Sequence, residues 1–326
     1  MPERELTMIE AIRDALREEM VRDKRVFIMG EDMGAAGGPF MASQGLLEEF
    51  GPARVRDTPI SEQAFTGTAV GAAMAGLRPV IEIMFNDFAT LAMDQLVNHA
   101  AKLHYMTGGQ VRVPLTVRTT HGAGRCAAAQ HSQTLYAWFA HAPGLKVVVP
   151  STPADAKGLL KSAIRDDNPV IVFEDRLLYR QKGPVPDGDH VIPLGRGEVK
   201  RAGRDVTLIA LSTMVSVGLR AAASLAQEGI EVEVVDPRTL VPLDLDMLLS
   251  SVARTHRALV VDQGCLSFGV SAEIAALLST NAFDALDAPV ARLAAPDVPI
   301  PYSYPLDQAT LPNEQQISAA IKRLLA

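Results

Sequence analysis

The chain has 326 residues, 48% of them hydrophobic and 21% charged, with a formal net charge of -7. Single cores stop growing at roughly 250–300 residues, so more than one domain is expected. The acidic balance argues against nucleic acid or an anionic membrane as partner. Cys126 and Cys265 lie far apart with no CxxC spacing, which fits a reducing compartment and offers no zinc site. The charged start "MPERELTMIEAIRDAL" has no apolar secretory core, and no run reaches the ~18 apolar residues of a membrane span. The expectation is a soluble cytoplasmic protein.

In chain order, Thr7 with Glu10 forms a capping-box pattern ahead of Ile9, Ile12, Ala15 and Leu16 at helical spacing. Short apolar runs then alternate with helical stretches. The runs are Arg25–Gly30, Arg78–Phe85, Val113–Thr120, Lys146–Ser151 and Val170–Asp175; the helices are Asn86–Met106 and Pro153–Arg165. Such alternation predicts a parallel sheet covered on both faces. The segment Arg176–Asp205 breaks the rhythm with prolines, glycines and charges. Alternation resumes with Val206–Leu211, a helix to Glu228, Val232–Pro237, a helix to Thr255, Ala258–Gln263 and a helix near Ala272–Leu278. The division expected is an α/β domain over 1–185, a linker over 186–204 and a second α/β domain over 205–326. No GxxxxGK[ST] occurs, and no GxGxxG joins a strand to a helix, so any phosphate cradle belongs to another chain.

Glu62 is the only charged residue between Asp57 and Arg78. It opens a helix that Ser61 or Thr58 could cap, where the dipole favours a carboxylate. The same helix carries Gly67 and Gly71, with Gly76 beyond, each costing roughly 1 kcal/mol relative to Ala. Close approach of another backbone is one reason to keep them, and it would desolvate Glu62 toward the working range of an acid–base group. In "HGAGRCAAAQHSQ" (His121–Gln133), Ser132 is a candidate N-cap for the helix bearing Leu135, Trp138 and Phe139. His131 then either exchanges protons with a ligand or holds its own loop, with His121 a weaker copy. Met84, Phe85 and Phe88 follow a strand, as core or as a platform for a heteroaromatic ring.

Several stretches carry a family likeness in this order: "DTPISE", "GTAVGAAMAGLRP", "NHAAKLHYMTGG", "AAAQHSQ", "PGLKVVVPSTPADAKGLLKSAIRDDNPV" and "VVDPRTLVPLD". Together they resemble the β subunit of the thiamine-diphosphate-dependent decarboxylating component of 2-oxo acid dehydrogenase complexes, from about Glu5 to the C-terminus. Relatives act on pyruvate, branched-chain 2-oxo acids or acetoin, and "VRTTHGAGRCAAAQHSQ" looks more similar to the acetoin enzymes. The resemblance implies a pyrimidine-binding α/β domain followed by a transketolase-type C-terminal domain. It implies that Glu62 works on the aminopyrimidine of thiamine diphosphate, favouring the imino tautomer that activates the thiazolium carbon. It implies that Met84 and Phe88 bind the pyrimidine half, and that His131 helps pass the acyl group to lipoyl. Leu115, Ala163, Ile164, Asp166 and Asn168 match positions that bind a structural K+ in some relatives. Mg2+ and the diphosphate would be held mainly by an α subunit, in an α2β2 heterotetramer serving a lipoyl-bearing acyltransferase core. The rival readings are a transketolase-like or synthase-like carboligase without a lipoyl partner, and a scaffold without catalysis.

Overall fold

A computed structural model describes residues 3–326. The chain separates into two compact units, one of residues up to His121 with Trp138–Leu194, the other of Gly122–Ala137 with Gly195–Ala326.

The first unit opens with β1 (Glu3–Thr7) and α1 (Met8–Arg22). Thr7 accepts the Glu10 amide, and the Glu10 carboxylate accepts the Thr7 amide at 2.8 Å, so the expected capping box is present. Next come β2 (Val26–Gly30), α2 (Leu46–Phe50), β3 (Val55–Asp57), α3 (Glu62–Met74), β4 (Arg78–Phe85) and α4 (Asn86–Ala89). They are followed by α5 (Leu103–Met106), β5 (Thr116–His121), α6 (Tyr136–Ala140), β6 (Lys146–Val148), α7 (Pro153–Arg165), β7 (Val170–Asp175) and β8 (Lys182–Pro186). The strands lie in the order β6-β7-β5-β4-β2-β3, all parallel, while β1 and β8 pair antiparallel. The core strands are buried along nearly their whole length, as continuous apolar runs require when both faces are covered. α1 packs on α7 over a cluster that includes Ile12, Leu16, Ile28, Leu159 and Leu160. Truncating any of these to Ala would cost about 2–5 kcal/mol.

The stretch 86–106 departs from the single helix expected. It runs α4, a 3-10 turn at Thr90–Ala92, a π-helical segment at Asp94–Ala100 and then α5. The backbone stays near helical dihedrals at the junctions, and what changes is whether each amide reaches back three, four or five residues.

The second unit holds β9 (Glu198–Arg201), β10 (Val206–Ala210), α8 (Thr213–Ala226), β11 (Val232–Asp236), β12 (Thr239–Val241), α9 (Leu245–Thr255), β13 (Ala258–Cys265) and α10 (Val270–Asn281). β14 (Ala291–Ala295), α11 (Tyr304–Ala309) and α12 (Glu314–Leu325) complete it. Its sheet has the order β14-β13-β10-β11-β9, with β9 antiparallel to β11 and the other pairs parallel. α8 and α12 seal one face through Val215, Ala222, Leu225, Ile317 and Ile321. No helix among the described residues is long and apolar enough to cross a membrane.

Candidate active site

In the first unit, several chemically active side chains collect at the carboxyl ends of the strands, where parallel α/β sheets bind ligands. Glu62 is the first residue of α3, and Ser61, although the N-cap, makes no side-chain capping bond. The buried face of α3 is Glu62, Phe65, Thr66, Ala69, Val70 and Ala73, a single helical stripe laid on β4. Glu62 therefore points inward with the apolar residues and is 5% exposed. Glu31, the residue after β2, is its neighbour in the electrostatic sense. Burial, then the charges of Glu62, Asp32 and Glu82, push the Glu31 carboxyl above its ordinary range. Every charge that acts on Glu31 is thus another carboxylate. The sequence reading missed Glu31, although "GED" directly after a buried strand was the available signal.

The glycines of α3 divide. Gly76 lies at φ +94°, just past the helix, and the amides of Gly76 and Leu77 close back on Ala73 and Ala72. It is a helix stop, which needs no covering backbone. A Cβ at Gly67 would meet Gln95 at 3.5 Å, an ordinary contact, and one at Gly71 would meet nothing within 4 Å. Among the described residues nothing covers the Gly71 side of α3.

Met84, Phe85 and Phe88 are half-buried where β4 runs into α4. Phe85 meets Phe88 edge-on at 5.8 Å and Phe40 at 5.6 Å, and the Arg176 guanidinium lies 3.6 Å from the Phe40 ring centre. The Met84 carbonyl accepts from the Thr120 hydroxyl at 2.6 Å, which fixes the strand end. Glu62, Met84 and Phe88 therefore share one edge of one sheet.

Beneath this edge lies a buried ion network, in which one Glu82 oxygen stays without a hydrogen-bond partner. Arg118 donates to both oxygens of Glu174 at 2.8 Å and to Glu82 at 2.5 Å, and the Tyr179 hydroxyl donates to Glu174 at 2.6 Å. All are buried. Burial opposes the Arg118 charge, but Glu174 and Glu82 raise its pKa and hold it protonated. Glu82, by contrast, is pushed up by burial first, with the Arg118 charge pulling the other way.

His131 belongs to the segment that folds with the second unit. α6 begins only at Tyr136, so Ser132 is not its N-cap and His131 is not at a helix N-terminus. The Ser132 oxygen is buried without a hydrogen-bond partner. What holds His131 instead is a looped backbone: its amide approaches the Ala128 carbonyl at 3.4 Å, and its carbonyl accepts from Arg125 at 2.8 Å. Cys126 and Ala128 both sit at positive φ. Residues 132–135 then wall a cavity of about 500 Å3, closed by Gln263 and Cys265 at the end of β13 and by Ala295 and Asp297–Ile300 after β14. His121 is fully buried against Phe173 and is part of the first unit's core.

The backbone carbonyls of four of the five potassium-matched residues already accept hydrogen bonds. The Leu115 carbonyl accepts from Val170 and that of Ala163 from Asp166. Arg78 donates to the carbonyls of Ile164 at 2.9 Å and Asp166 at 2.6 Å, and Asn168 donates to Asp166. Lys146 pairs with Asp166 at 2.5 Å and Arg112 with Asp167, so three cationic side chains, with Arg78, already serve this oxygen-rich loop. Among the described residues no three His, Cys, Asp or Glu side chains are grouped to hold a metal ion.

Comparisons with known proteins agree with this anatomy. Residues 4–182 match the family "Transketolase, pyrimidine binding domain" and residues 195–317 match "Transketolase, C-terminal domain". A solved structure titled "Split gene transketolase, inactive beta4 tetramer" superposes with a TM-score of 0.79 over 98% of each chain, at 24% identity. The acetoin:2,6-dichlorophenolindophenol oxidoreductase subunit beta of Bacillus subtilis is 47% identical, covering 99% of this chain and 98% of its own. The pyruvate dehydrogenase E1 component subunit beta of Rickettsia felis is also 47% identical, covering 98% of each. The equal identities do not separate acetoin-type from pyruvate-type relatives, whatever the stretch before His131 suggests. This chain belongs to the family of thiamine-dependent dehydrogenase β subunits that includes both, built from transketolase-type pyrimidine-binding and C-terminal domains.

Proposed function

We propose that this chain is the β subunit of an α2β2 enzyme that decarboxylates a 2-oxo acid of pyruvate's size, or cleaves acetoin, and passes the acyl group to a lipoyl partner. The observation that carries the reading is the buried Glu62 carboxylate at the same sheet edge as the half-buried Met84 and Phe88. An apolar thioether and an aromatic face suit a pyrimidine, and the carboxylate suits its ring nitrogen. Thiamine diphosphate, when bound, supplies the carbon nucleophile and the electron sink for breaking the bond beside the carbonyl. Glu62, itself buried on the same helix face as Phe65 and Thr66, would hold or exchange a proton at that ring nitrogen. His131 would donate to or accept from substrate oxygen during transfer to the acceptor. This chain offers no Gly-rich phosphate loop, so diphosphate and Mg2+ fall to the α subunit. The open Gly71 side of α3 is where a neighbouring chain could approach closely.

The test is reconstitution. Alone, the chain should bind thiamine diphosphate and Mg2+ poorly by calorimetry; with a matching α chain it should acylate a lipoyl domain, and pyruvate and acetoin assayed side by side identify the substrate. Micromolar cofactor binding by the isolated chain would overturn the divided site. A structural K+ held by the carbonyls of Leu115, Ala163, Ile164, Asp166 and Asn168 is part of the proposal. It predicts a melting temperature that rises in KCl but not in NaCl.

A further inference from the structure

Asp307 is fully buried in α11, yet no cation pairs with it among the described residues. A buried carboxylate needs hydrogen bonds in proportion to its charge, and Asp307 takes them from one source. Its Oδ1 accepts the Gly124 amide at 3.1 Å and its Oδ2 the Cys126 amide at 3.0 Å. Next to it, Gln308 donates to the Gly124 carbonyl at 3.2 Å, so the loop is gripped through both donors and acceptors. Desolvation, then the Asp307 charge, push the Cys126 thiol up, which keeps that thiol neutral beside the carboxylate. Asp307 is itself fixed: its amide donates to Ser303 at 2.8 Å, and its carbonyl accepts the Thr310 hydroxyl at 2.6 Å.

The gripped segment is strained. Cys126 and Ala128 adopt φ of +54° and +62°, a region that L side chains rarely occupy, after two glycines, Gly122 and Gly124, that take positive φ freely. Such a run persists only if its surroundings over-determine it. Arg125 continues the brace, donating to the carbonyls of Gly122 and His131. A continuous set of bonds thus leads from Asp307, through Gly124 and Cys126, to the backbone of His131.

We propose that Asp307 is a positioning residue: it latches the 122–131 loop onto α11 and thereby sets where the His131 imidazole stands for acyl transfer. This rests on the role proposed for His131. An aspartate is required rather than an asparagine because two amides must be accepted at once, and an amide side chain presents only one acceptor oxygen.

The experiment uses the reconstituted α2β2 enzyme with Asp307→Asn, His131→Ala and the double variant. Two activities are read on each preparation: turnover with an artificial electron acceptor and acylation of a lipoyl domain. Tryptic cleavage after Arg125 reads the loop directly. Asp307→Asn should open Arg125 to trypsin and lower acylation by ~10²-fold while sparing artificial-acceptor turnover, because a displaced group of about 1 Å costs that much. The double variant should be no worse than His131→Ala alone, since both act through one group. An unchanged acylation-to-acceptor ratio in Asp307→Asn overturns the proposal, as does full additivity in the double variant. If His131→Ala itself leaves the ratio unchanged, the histidine's role fails and the positioning claim with it; trypsin sensitivity in Asp307→Asn then shows that the latch was not at fault. Should Asp307→Asn not assemble, Asp307→Glu keeps the charge and both acceptors while shifting them by one methylene, and the same ratio and the same cleavage decide.

Discussion

The first unit contains two sets of acidic side chains in contrasting company. Glu82 and Glu174 lie deep in the sheet and share Arg118, with Tyr179 closing the network. Glu31 and Glu62 lie at the carboxyl edge of the same sheet, and the charges that act on Glu31 are all negative. The deep set is compensated within the chain and does structural duty, holding β4, β5 and β7 in register. Glu31 is acted on only by like charges among the described residues, which a fold tolerates best where something else uses the charge or the proton. A buried acid is therefore diagnosed by its partner, and burial alone says little.

The comparison can be broken most sharply at Glu62. Glu62→Gln should lower hydrogen–deuterium exchange at the thiazolium carbon by ~10²–10⁴-fold in the assembled enzyme, with fold and assembly retained. An unchanged exchange rate, followed by NMR in heavy water, would remove Glu62 from the edge set as a working group. The deep set should respond in the opposite way. Arg118→Met removes the cation that Glu82 and Glu174 share and should destabilise the chain by about 3–5 kcal/mol in urea unfolding. A loss below about 1 kcal/mol would mean that the network is not where the first unit keeps its stability.

Glu31 gives the smallest and most diagnostic effect. Its folded pKa is raised, so folding favours its protonated form. The associated stability is complete below the ordinary glutamate range and is lost as pH rises through the raised folded value. Glu31→Gln should therefore leave the urea midpoint unchanged near pH 4 and raise it near pH 8. The gain should stay below about 1 kcal/mol, because solvent screens a partly exposed charge. A gain equal at both pH values would show that the glutamine packs better and that charge is not the cause.

Much of this anatomy was legible in the sequence, for identifiable reasons. Arg78–Phe85 and Val170–Asp175 are runs of buried β-branched and aliphatic residues, and both appear as strands with those bounds. Pro153–Arg165 carries Thr152 as cap and proline at its start, and its bounds also match. The stretch 86–106 was legible as helical in extent but not in hydrogen-bond register. Side-chain spacing reports which face is buried, and Ala92, Leu96 and Ala100 would look alike on several helix types. Glu62 stood out because it is a lone acid in an apolar stretch. Ser132 misled because a hydroxyl before an aromatic run resembles a cap, while the chain stays irregular until the helix begins at Tyr136. Asp307 was invisible: its partners, Gly124 and Cys126, lie some 180 positions earlier and hold it through backbone amides, which leave no mark in a sequence.

That separation has a bearing on how the chain can be cut. Because Gly122–Ala137 folds with residues from Gly195 onward, sequence order and spatial membership disagree, and the second unit is made of two pieces. No single scission can release it whole. A fragment starting at Gly195 would carry Asp307 without the amides that satisfy it, and the remaining fragment would carry a strained loop without its latch. Dividing this polypeptide into separately expressed halves, or exchanging its C-terminal half with that of a relative, should succeed only when residues 122–137 travel with the half that holds α11.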